Sequence, residues 1–228
     1  RTARGPDPAQ GRYAMRASRL VAAGRASDCM AWAGEPAGRV PTDGRCFAYV
    51  FPCRWEDHCK IGFSNDPLSR IGALHRRWFE FFDLERGRLV EAESTRDARD
   101  LELELRGGLG EHNAPAPLAI AAAAGGHTEW FRGAEAELAA RVAALRLRGY
   151  RVHPLQGWLR AALVERADRL HEWTLAQLPV EELDGLAGQT GAQRRVRDVL
   201  DACVALQIPL EARLPPAVLA WHQRACRG

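Results

Sequence analysis

Two short apolar stretches joined by a polar segment constrain the fold of this 228-residue chain most strongly. Residues 47–51 (FAYVF) are aromatic and β-branched and are followed by a proline, which is typical of a strand. Residues 59–63 (CKIGF) form a second such stretch after the polar segment 54–57. Because the connection between them is short, the pattern predicts an antiparallel hairpin.

A helix-start signal follows the predicted hairpin directly. In Ser64-Asn65-Asp66-Pro67 a capping side chain precedes a proline, and both favour the first turn of a helix. Arg70 and His75 project from the polar sides of this helix. Its apolar face is formed by residues at helical spacing, namely Leu68, Ile71 and Leu74.

The elements that follow indicate an α+β fold. A third extended stretch is predicted over residues 81–92, and the cap signature Ser94-Thr95-Arg96-Asp97 opens a helix. The alternation of Leu and Glu over residues 101–105 is also compatible with a strand. Helices are predicted over residues 134–147 and from Trp158 onward. We therefore expect a small three-stranded antiparallel sheet flanked by helices, with a helical C-terminal extension.

Composition divides the chain into three regions. Residues 1–43 are rich in Arg, Gly, Pro and Ala and are predicted to be a basic, flexible arm. Residues 44–149 contain the predicted sheet, and residues 150–228 contain the helical extension. The formal net charge is only +3, so a wholesale basic coating is absent. A polyanion would be held by local basic patches or by the arm.

Cysteine content and hydropathy indicate the compartment. Six cysteines in a chain of this length do not make a disulfide scaffold. The longest apolar run, residues 118–124, is too short to span a bilayer. We therefore expect a cytoplasmic protein without a membrane-spanning segment. The spacing of the clustered thiols and imidazole matches no usual zinc pattern; these residues are Cys46, Cys53, His58 and Cys59.

The second predicted strand contains Lys60, the only lysine of the chain. An ammonium and a guanidinium differ in geometry and hydration, so a single lysine among arginines favours a position that needs lysine chemistry. A chance survivor is the alternative interpretation. Glu129-Trp130-Phe131, further along, is predicted to be a packing element with two large apolar anchors.

The order of these motifs resembles the GIY-YIG nuclease superfamily over about residues 44–133. A strand with Tyr49 is followed by Lys60-Ile61-Gly62, by a helix with Arg70 and by a later helix with Glu102. The chain is most similar to a divergent branch of phage and fungal meiosis-associated domains, in which lysine replaces the tyrosine of the second half-motif. The first half-motif keeps only its tyrosine here, and the positions after the glutamate are altered.

The resemblance implies a metal-dependent endonuclease that hydrolyses phosphodiester bonds in DNA. Tyr49, Lys60, Arg70 and His75 would be catalytic, and Glu102 would bind Mg²⁺ or Mn²⁺. Arg70 offers permanently charged donors to phosphate oxygens. Tyr49 could position or deprotonate a water with help from Lys60, or Lys60 itself could act as the base if burial lowers its pKa. Each residue also has a structural interpretation: a core aromatic for Tyr49, a structural imidazole for His75 and a solvated face for Arg70 and Glu102.

Arg76, Arg77 and Trp78 are predicted to bind nucleic acid, because two guanidinium groups beside an aromatic ring suit a phosphate backbone and a stacked base. A solvated turn is the alternative. Two other classes of function stay open. The degraded first half-motif, Phe47-Ala48-Tyr49, and the altered positions after Glu102 favour a non-catalytic nucleic-acid-binding or assembly module. The apolar stripes of the C-terminal helices favour the docking of a protein partner.

Overall fold

One antiparallel sheet with helices packed on both faces forms the fold, as seen in a computed structural model of the chain. The model describes residues 45–121, 124, 128–179, 183 and 190–225. The predicted arm, residues 1–43, lies outside the described residues. The α+β class that the sequence predicts is confirmed. Among the described residues, no helix is both long enough and apolar enough to cross a membrane.

The described strands form a single sheet. In chain order they are β1 (Cys46–Pro52), β2 (His58–Ser64), β3 (Arg88–Ala92), β4 (Asn113–Ala114), β5 (Trp130–Arg132) and β6 (Val152–Pro154). Across the sheet their order is β4-β5-β2-β1-β3-β6, and every neighbouring pair is antiparallel. The two strands of the predicted hairpin therefore occupy the centre of the sheet.

Helices cover the sheet and complete the described part of the chain. They are α1 (Pro67–Leu74), α2 (Trp78–Phe81), α3 (Thr95–Arg106), α4 (Glu135–Leu147), α5 (Leu155–Ala167), α6 (Leu170–Gln177), α7 (Gly191–Ala205) and α8 (Pro216–Ala225). The formation of α3 excludes the strand alternative for residues 101–105.

Two predictions about the sheet were wrong. The sheet has six strands rather than three, because β4, β5 and β6 contain only two or three residues each and are too short to show an alternating pattern. β6 also places a strand in the region predicted to be helical. The stretch predicted over residues 81–92 is a strand only at Arg88–Ala92. The residues before it form a turn in which Asp83 accepts hydrogen bonds from the backbone N–H groups of Glu85 and Arg86.

The predicted hairpin and helix start are confirmed. β1 pairs with β2 in a register that places Tyr49 opposite Gly62. Asp66 then caps α1, because its carboxylate accepts a hydrogen bond from the backbone N–H of Ser69 at 3.1 Å. Pro67 occupies the first turn, where no N–H donor is needed.

Strand alternation separates two hydrophobic cores. On one face of β1, Phe47, Tyr49 and Phe51 pack with α1, α2 and the C-terminal helices. On the other face, Cys46, Ala48 and Val50 pack with α3 and α4. The apolar stripe predicted after Trp158 faces the first core rather than solvent, through the buried residues Leu159, Leu163, Ala167 and Leu170. The helical extension and the sheet thus share one core.

Candidate functional site

The hydroxyl group of Tyr49 lies at the centre of the candidate site. Tyr49 is only 1% exposed, and its ring stacks on Phe51 with ring centroids 4.1 Å apart. The Tyr49 Oη accepts a hydrogen bond from Arg70 Nε at 3.1 Å. On the opposite strand, a Cβ at Gly62 would lie 2.3 Å from this oxygen. The motif needs glycine at this position because the tyrosine ring occupies the space of a side chain.

Arg70 is held by two acceptors on different segments. Its Nε binds Tyr49, and its Nη1 donates to the backbone carbonyl of Ala124 at 2.7 Å. Burial raises the pKa of Tyr49, and the charge and hydrogen bond of Arg70 offset only part of that rise. The Tyr49 hydroxyl is therefore protonated at neutral pH and can donate a hydrogen bond.

Lys60 lies on the same face of the sheet, two residues before Gly62 on β2. It is 0% exposed, and its Nζ donates to the carbonyl of Thr128 at 2.6 Å and to Glu129 Oε2 at 2.8 Å. The same Nζ lies 6.0 Å from the ring centroid of Trp130. Burial lowers the pKa of Lys60, and the neighbouring Glu129 carboxylate opposes that shift.

Glu129 is a site residue that the sequence analysis missed. The packing prediction for its neighbours is confirmed, because Trp130 and Phe131 are buried in the two cores. Glu129 itself has a backbone φ of 59°, in the left-handed region that few residues other than glycine occupy. Burial would raise its pKa, but hydrogen bonds from Lys60 and Thr128 outweigh this effect and hold the pKa of Glu129 below its usual range.

Glu102 reaches the candidate site from α3. It is 6% exposed, so the solvated face considered for it does not fit. Its Oε1 lies 3.4 Å from Arg106 Nε, and Arg106 Nη1 lies 3.7 Å from Glu129 Oε1. Burial raises the pKa of Glu102, and the Arg106 charge partly opposes this rise. Within the described residues, the buried Glu102 Oε1 has no hydrogen-bond donor.

Glu102 supplies one carboxylate oxygen of the kind that Mg²⁺ prefers, and this ion is usually bound by one or two carboxylates together with water. The Glu102 Oε1 accepts no hydrogen bond among the described residues, and the Arg106 guanidinium lies 3.4 Å from the same oxygen. Among the residues that the structure describes, no group of three or more His, Cys, Asp and Glu side chains could hold a metal ion. A cation at this position would therefore be held by Glu102, water and substrate oxygens.

A groove of about 400 Å³ adjoins this cluster at the edge of the sheet. Arg106 and Glu129 contribute both to the cluster and to the wall of the groove. The groove is lined by Leu103, Arg106, Gly107, Gly110, Asn113, Thr128, Glu129 and Phe131.

His75 and Trp78 do not join the candidate site. The imidazole of His75 stacks on Phe81, with ring centroids 4.5 Å apart, and burial lowers its pKa. Trp78 is 2% exposed and belongs to the first core, where no base can stack on it. The stacking role predicted for Trp78 is therefore wrong, because its apolar ring is needed inside the protein.

Arg76 and Arg77 form ion pairs with α7 rather than a basic surface patch. Arg76 Nη2 donates to Asp198 Oδ2 at 2.7 Å, and Arg77 Nη1 donates to Asp201 Oδ2 at 2.8 Å. His222 on α8 completes the group, with its Nε2 2.7 Å from Asp201 Oδ1. We call these five residues the Arg77 cluster.

The clustered cysteines are buried thiols. Cys46, Cys53 and Cys59 are all free and buried. Burial raises the pKa of Cys53 and that of Cys59 to about 12, so both are protonated at neutral pH. The imidazole of His58 lies beside a carboxylate rather than a thiol, with its Nδ1 3.3 Å from Glu56 Oε2.

Comparison with known proteins does not place the chain in a family. No protein-family model, curated protein or solved structure matched it. The geometry and chemistry of the site therefore carry the functional argument.

Proposed function

We propose that the chain is a metal-dependent endonuclease with a GIY-YIG-like core that hydrolyses phosphodiester bonds in DNA in the cytoplasm. The observation that carries the proposal is the hydrogen bond of Arg70 to Tyr49 at 3.1 Å, with Lys60 and Glu102 close enough to be affected by the same charges. The four side chains belong to four different elements, namely β1, β2, α1 and α3, and the charges of Arg70 and Glu102 act on both Tyr49 and Lys60. Ionisable groups gathered from separate elements with shifted pKa values favour a catalytic site.

The directions of the pKa shifts assign roles to the two candidate bases. Burial raises the pKa of Tyr49, which disfavours its deprotonated form, and lowers the pKa of Lys60. A general base works best when its pKa lies near the operating pH. In the proposed reaction Lys60 accepts the proton of the attacking water, and the Tyr49 hydroxyl orients that water or a phosphate oxygen. Arg70 binds a non-bridging oxygen with the donors that Tyr49 and Ala124 do not use.

Glu102 would hold Mg²⁺ or Mn²⁺ through its buried Oε1, and the bound ion would stabilise negative charge on the phosphate. Arg106 would bind an adjacent phosphate, because it lines the groove and its ion pairs with Glu102 and Glu129, as far as the described residues show, are long, at 3.4 and 3.7 Å. DNA would therefore enter along the groove, with the bond to be cleaved near Glu102.

The experiment is a cleavage assay on plasmid and single-stranded DNA, with Mg²⁺ or Mn²⁺ compared with EDTA. Glu102→Gln keeps the shape of the side chain and removes its charge, and we expect it to abolish cleavage. Arg70→Met should reduce the rate by about 100-fold or more, the usual loss when one charge-stabilising donor is removed. Glu104→Gln is the matched control, since Glu104 lies on the same helix with an exposed side chain. Undiminished cleavage in the Glu102 and Arg70 variants would overturn the proposal.

A second candidate function is a non-catalytic nucleic-acid-binding or assembly module. The burial of Lys60 favours it, because an ammonium group with no exposed surface and a carboxylate partner is also what a structural ion pair looks like. This module would bind DNA in EDTA with strong salt dependence, and Glu102→Gln would leave binding intact. Cleavage by the wild-type protein that requires metal would exclude it.

A further inference from the structure

Helix α1, which carries Arg70, is tied at its N-terminal end to α5. The Asp66 carboxylate that caps α1 also accepts a hydrogen bond through Oδ2 from Arg166 Nη2 at 2.7 Å. Arg166 is only 7% exposed, whereas the side chain of Asp66 is 40% exposed, so the guanidinium of this ion pair is buried and its carboxylate is partly in water. Burial would raise the pKa of Asp66, but Arg166 and Ser69 together hold it below its usual range. The first turn of α1 is therefore anchored to a buried charge on the C-terminal helices.

The C-terminal end of α1 is tied to α7 through the Arg77 cluster. Arg76 and Arg77 follow the helix directly and pair with Asp198 and Asp201. The carboxylates of this cluster are mostly buried, with side-chain exposures of 18% for Asp198 and 13% for Asp201. His222 on α8 holds Asp201 from the opposite side.

The apolar face of α1 fixes which side of the helix meets the core, and the ion pairs add directed contacts at its two ends. Leu68, Ile71 and Leu74 are buried in the same core as Leu159 and Leu163, so a large rotation of α1 would expose them. A slide along the helix axis by the rise of one residue is a translation of about 1.5 Å. Such a slide would move the Arg70 guanidinium away from Tyr49, to which its Nε now donates at 3.1 Å. Ion pairs with fixed geometry at both ends oppose it.

We propose that the C-terminal helices act as a clamp that positions Arg70 against Tyr49, with Arg166 as its principal positioning residue. The importance of this clamp for catalysis rests on the proposed function. The clamp itself is a statement about the position of α1 and does not depend on catalysis. The helical extension then belongs to the support of the site, and its buried apolar faces serve the shared core rather than a partner protein.

The test uses the full chain and a probe that works without activity. Tyrosine labelled with ¹³C at Cζ reports the hydrogen bonding of each of the three tyrosines by NMR, and Tyr49→Phe assigns the relevant signal. Arg70→Met provides the signal of Tyr49 without its donor. We expect Arg166→Met to move the Tyr49 signal in the same direction, and Arg70→Met combined with Arg166→Met to match Arg70→Met alone. Loss of stability without movement of α1 would not shift the signal in the folded state.

Arg86→Met is the control, because it removes an ion-pairing arginine that contacts Asp83 and Glu135 and does not touch α1. It should leave the Tyr49 signal at its wild-type position. If Arg166→Met does not fold, Asp66→Asn replaces it, because asparagine still caps a helix while the charge opposite Arg166 and the Oδ2 acceptor shared by Arg166 and Ser69 Oγ are lost. A folded Arg166→Met or Asp66→Asn variant with the wild-type Tyr49 signal would overturn the clamp.

Cleavage assays on the same variants separate this inference from the proposed function. If the wild-type protein cleaves DNA, Arg166→Met should lower kcat with little change in KM, because the groove is unaltered. If the wild-type protein cleaves nothing, the proposed function fails while the NMR comparison still decides the clamp. A Tyr49 signal that moves without any change in kcat would show that the clamp does not serve the reaction.

Discussion

Replacing Gly62 by alanine tests whether the tyrosine ring and the opposite strand are as closely packed as the structure indicates. The added Cβ would lie 2.3 Å from Tyr49 Oη and 2.5 Å from Tyr49 Cζ, well inside the 3.0 Å below which Cβ contacts are essentially never found. The contact is with a ring held between Phe51 and Arg70, not with the end of a mobile side chain. The ring or the strand must therefore move.

Three contributions set the magnitude of the effect. In open space a Gly-to-Ala change stabilises a protein by about 0.4–1 kcal/mol, because the unfolded chain loses freedom. Overpacking of a core costs about 1–3 kcal/mol. Displacing the Tyr49 hydroxyl from Arg70 removes a hydrogen bond to a charged group, worth about 1.5–3 kcal/mol. We expect Gly62→Ala to lower the free energy of unfolding by about 3 kcal/mol, which for this chain length corresponds to a Tm decrease of roughly 6–12 °C.

Thermal and urea unfolding measure this change, with Gly157→Ala as the matched control. Nothing lies within 4 Å of a Cβ at Gly157, which is in α5, so alanine there should stabilise the protein. In a Tyr49→Leu background, Gly62→Ala should cost much less, because the clashing ring is gone. A Gly62→Ala variant as stable as wild type, or more stable, would refute the close packing of Tyr49 on β2.

Three further predictions concern the charged groups of the site and of the Arg77 cluster. Arg106→Ala should reduce the slope of the logarithm of the DNA-binding constant against the logarithm of the salt concentration by about 1, measured in EDTA by fluorescence anisotropy. Arg99 is exposed on the same helix, and Arg99→Ala should leave this slope unchanged. Equal slopes for Arg106→Ala and the wild-type protein would contradict a phosphate contact at Arg106. Lys60→Arg should lower the free energy of unfolding by about 1–3 kcal/mol, because the larger guanidinium has no room at this buried position. Lys60→Met should cost less, because Glu129 keeps 29% of its side chain exposed and can be hydrated. Urea unfolding that ranks the two variants in the reverse order would refute this prediction. Hydrogen bonds hold the native pKa of Asp201 below its unfolded value, although burial alone would raise it. The stabilisation of the fold by Asp201 is therefore present above about pH 4 and is lost as the pH falls further. Asp201→Asn should flatten the acid side of the curve of stability against pH, and an unchanged acid side would count against the lowered pKa.

Local signals in the sequence predicted the centre of the sheet and the helix beside it. Aromatic and β-branched residues followed by a proline mark β1, and the cap at Asp66 marks α1, because both signals depend on residues adjacent in the chain. Arg70 and Glu102 became candidates through the resemblance of the motif order to a known superfamily, and the charges of both act on Tyr49 in the structure.

Long-range pairing was beyond the reach of those signals. Glu129 looked like part of a packing element, and only the pairing of β5 with β2 brings it to Lys60. Arg77 looked like part of a basic patch, since two of its acidic partners, Asp198 and Asp201, lie more than a hundred residues further along the chain. Trp78 looked like a platform for a stacked base because it follows two arginines, although its ring is buried in the core. A short strand or a distant ion pair leaves no periodic pattern to recognise.

The order of the strands also bears on how copies of the chain behave toward one another. The outer positions of the sheet belong to β4, with two residues, and to β6, with three residues ending in Pro154. An open strand edge is a template on which another chain can extend the sheet, and its strength grows with the number of unpaired backbone groups. β4 and β6 are both short, and β6 ends in a proline without an N–H donor, so few backbone groups are available for hydrogen bonds with an incoming strand. In the described part of the chain the two longest strands, β1 and β2 with seven residues each, therefore lie in the interior of the sheet, where neighbouring strands already pair with both of their edges.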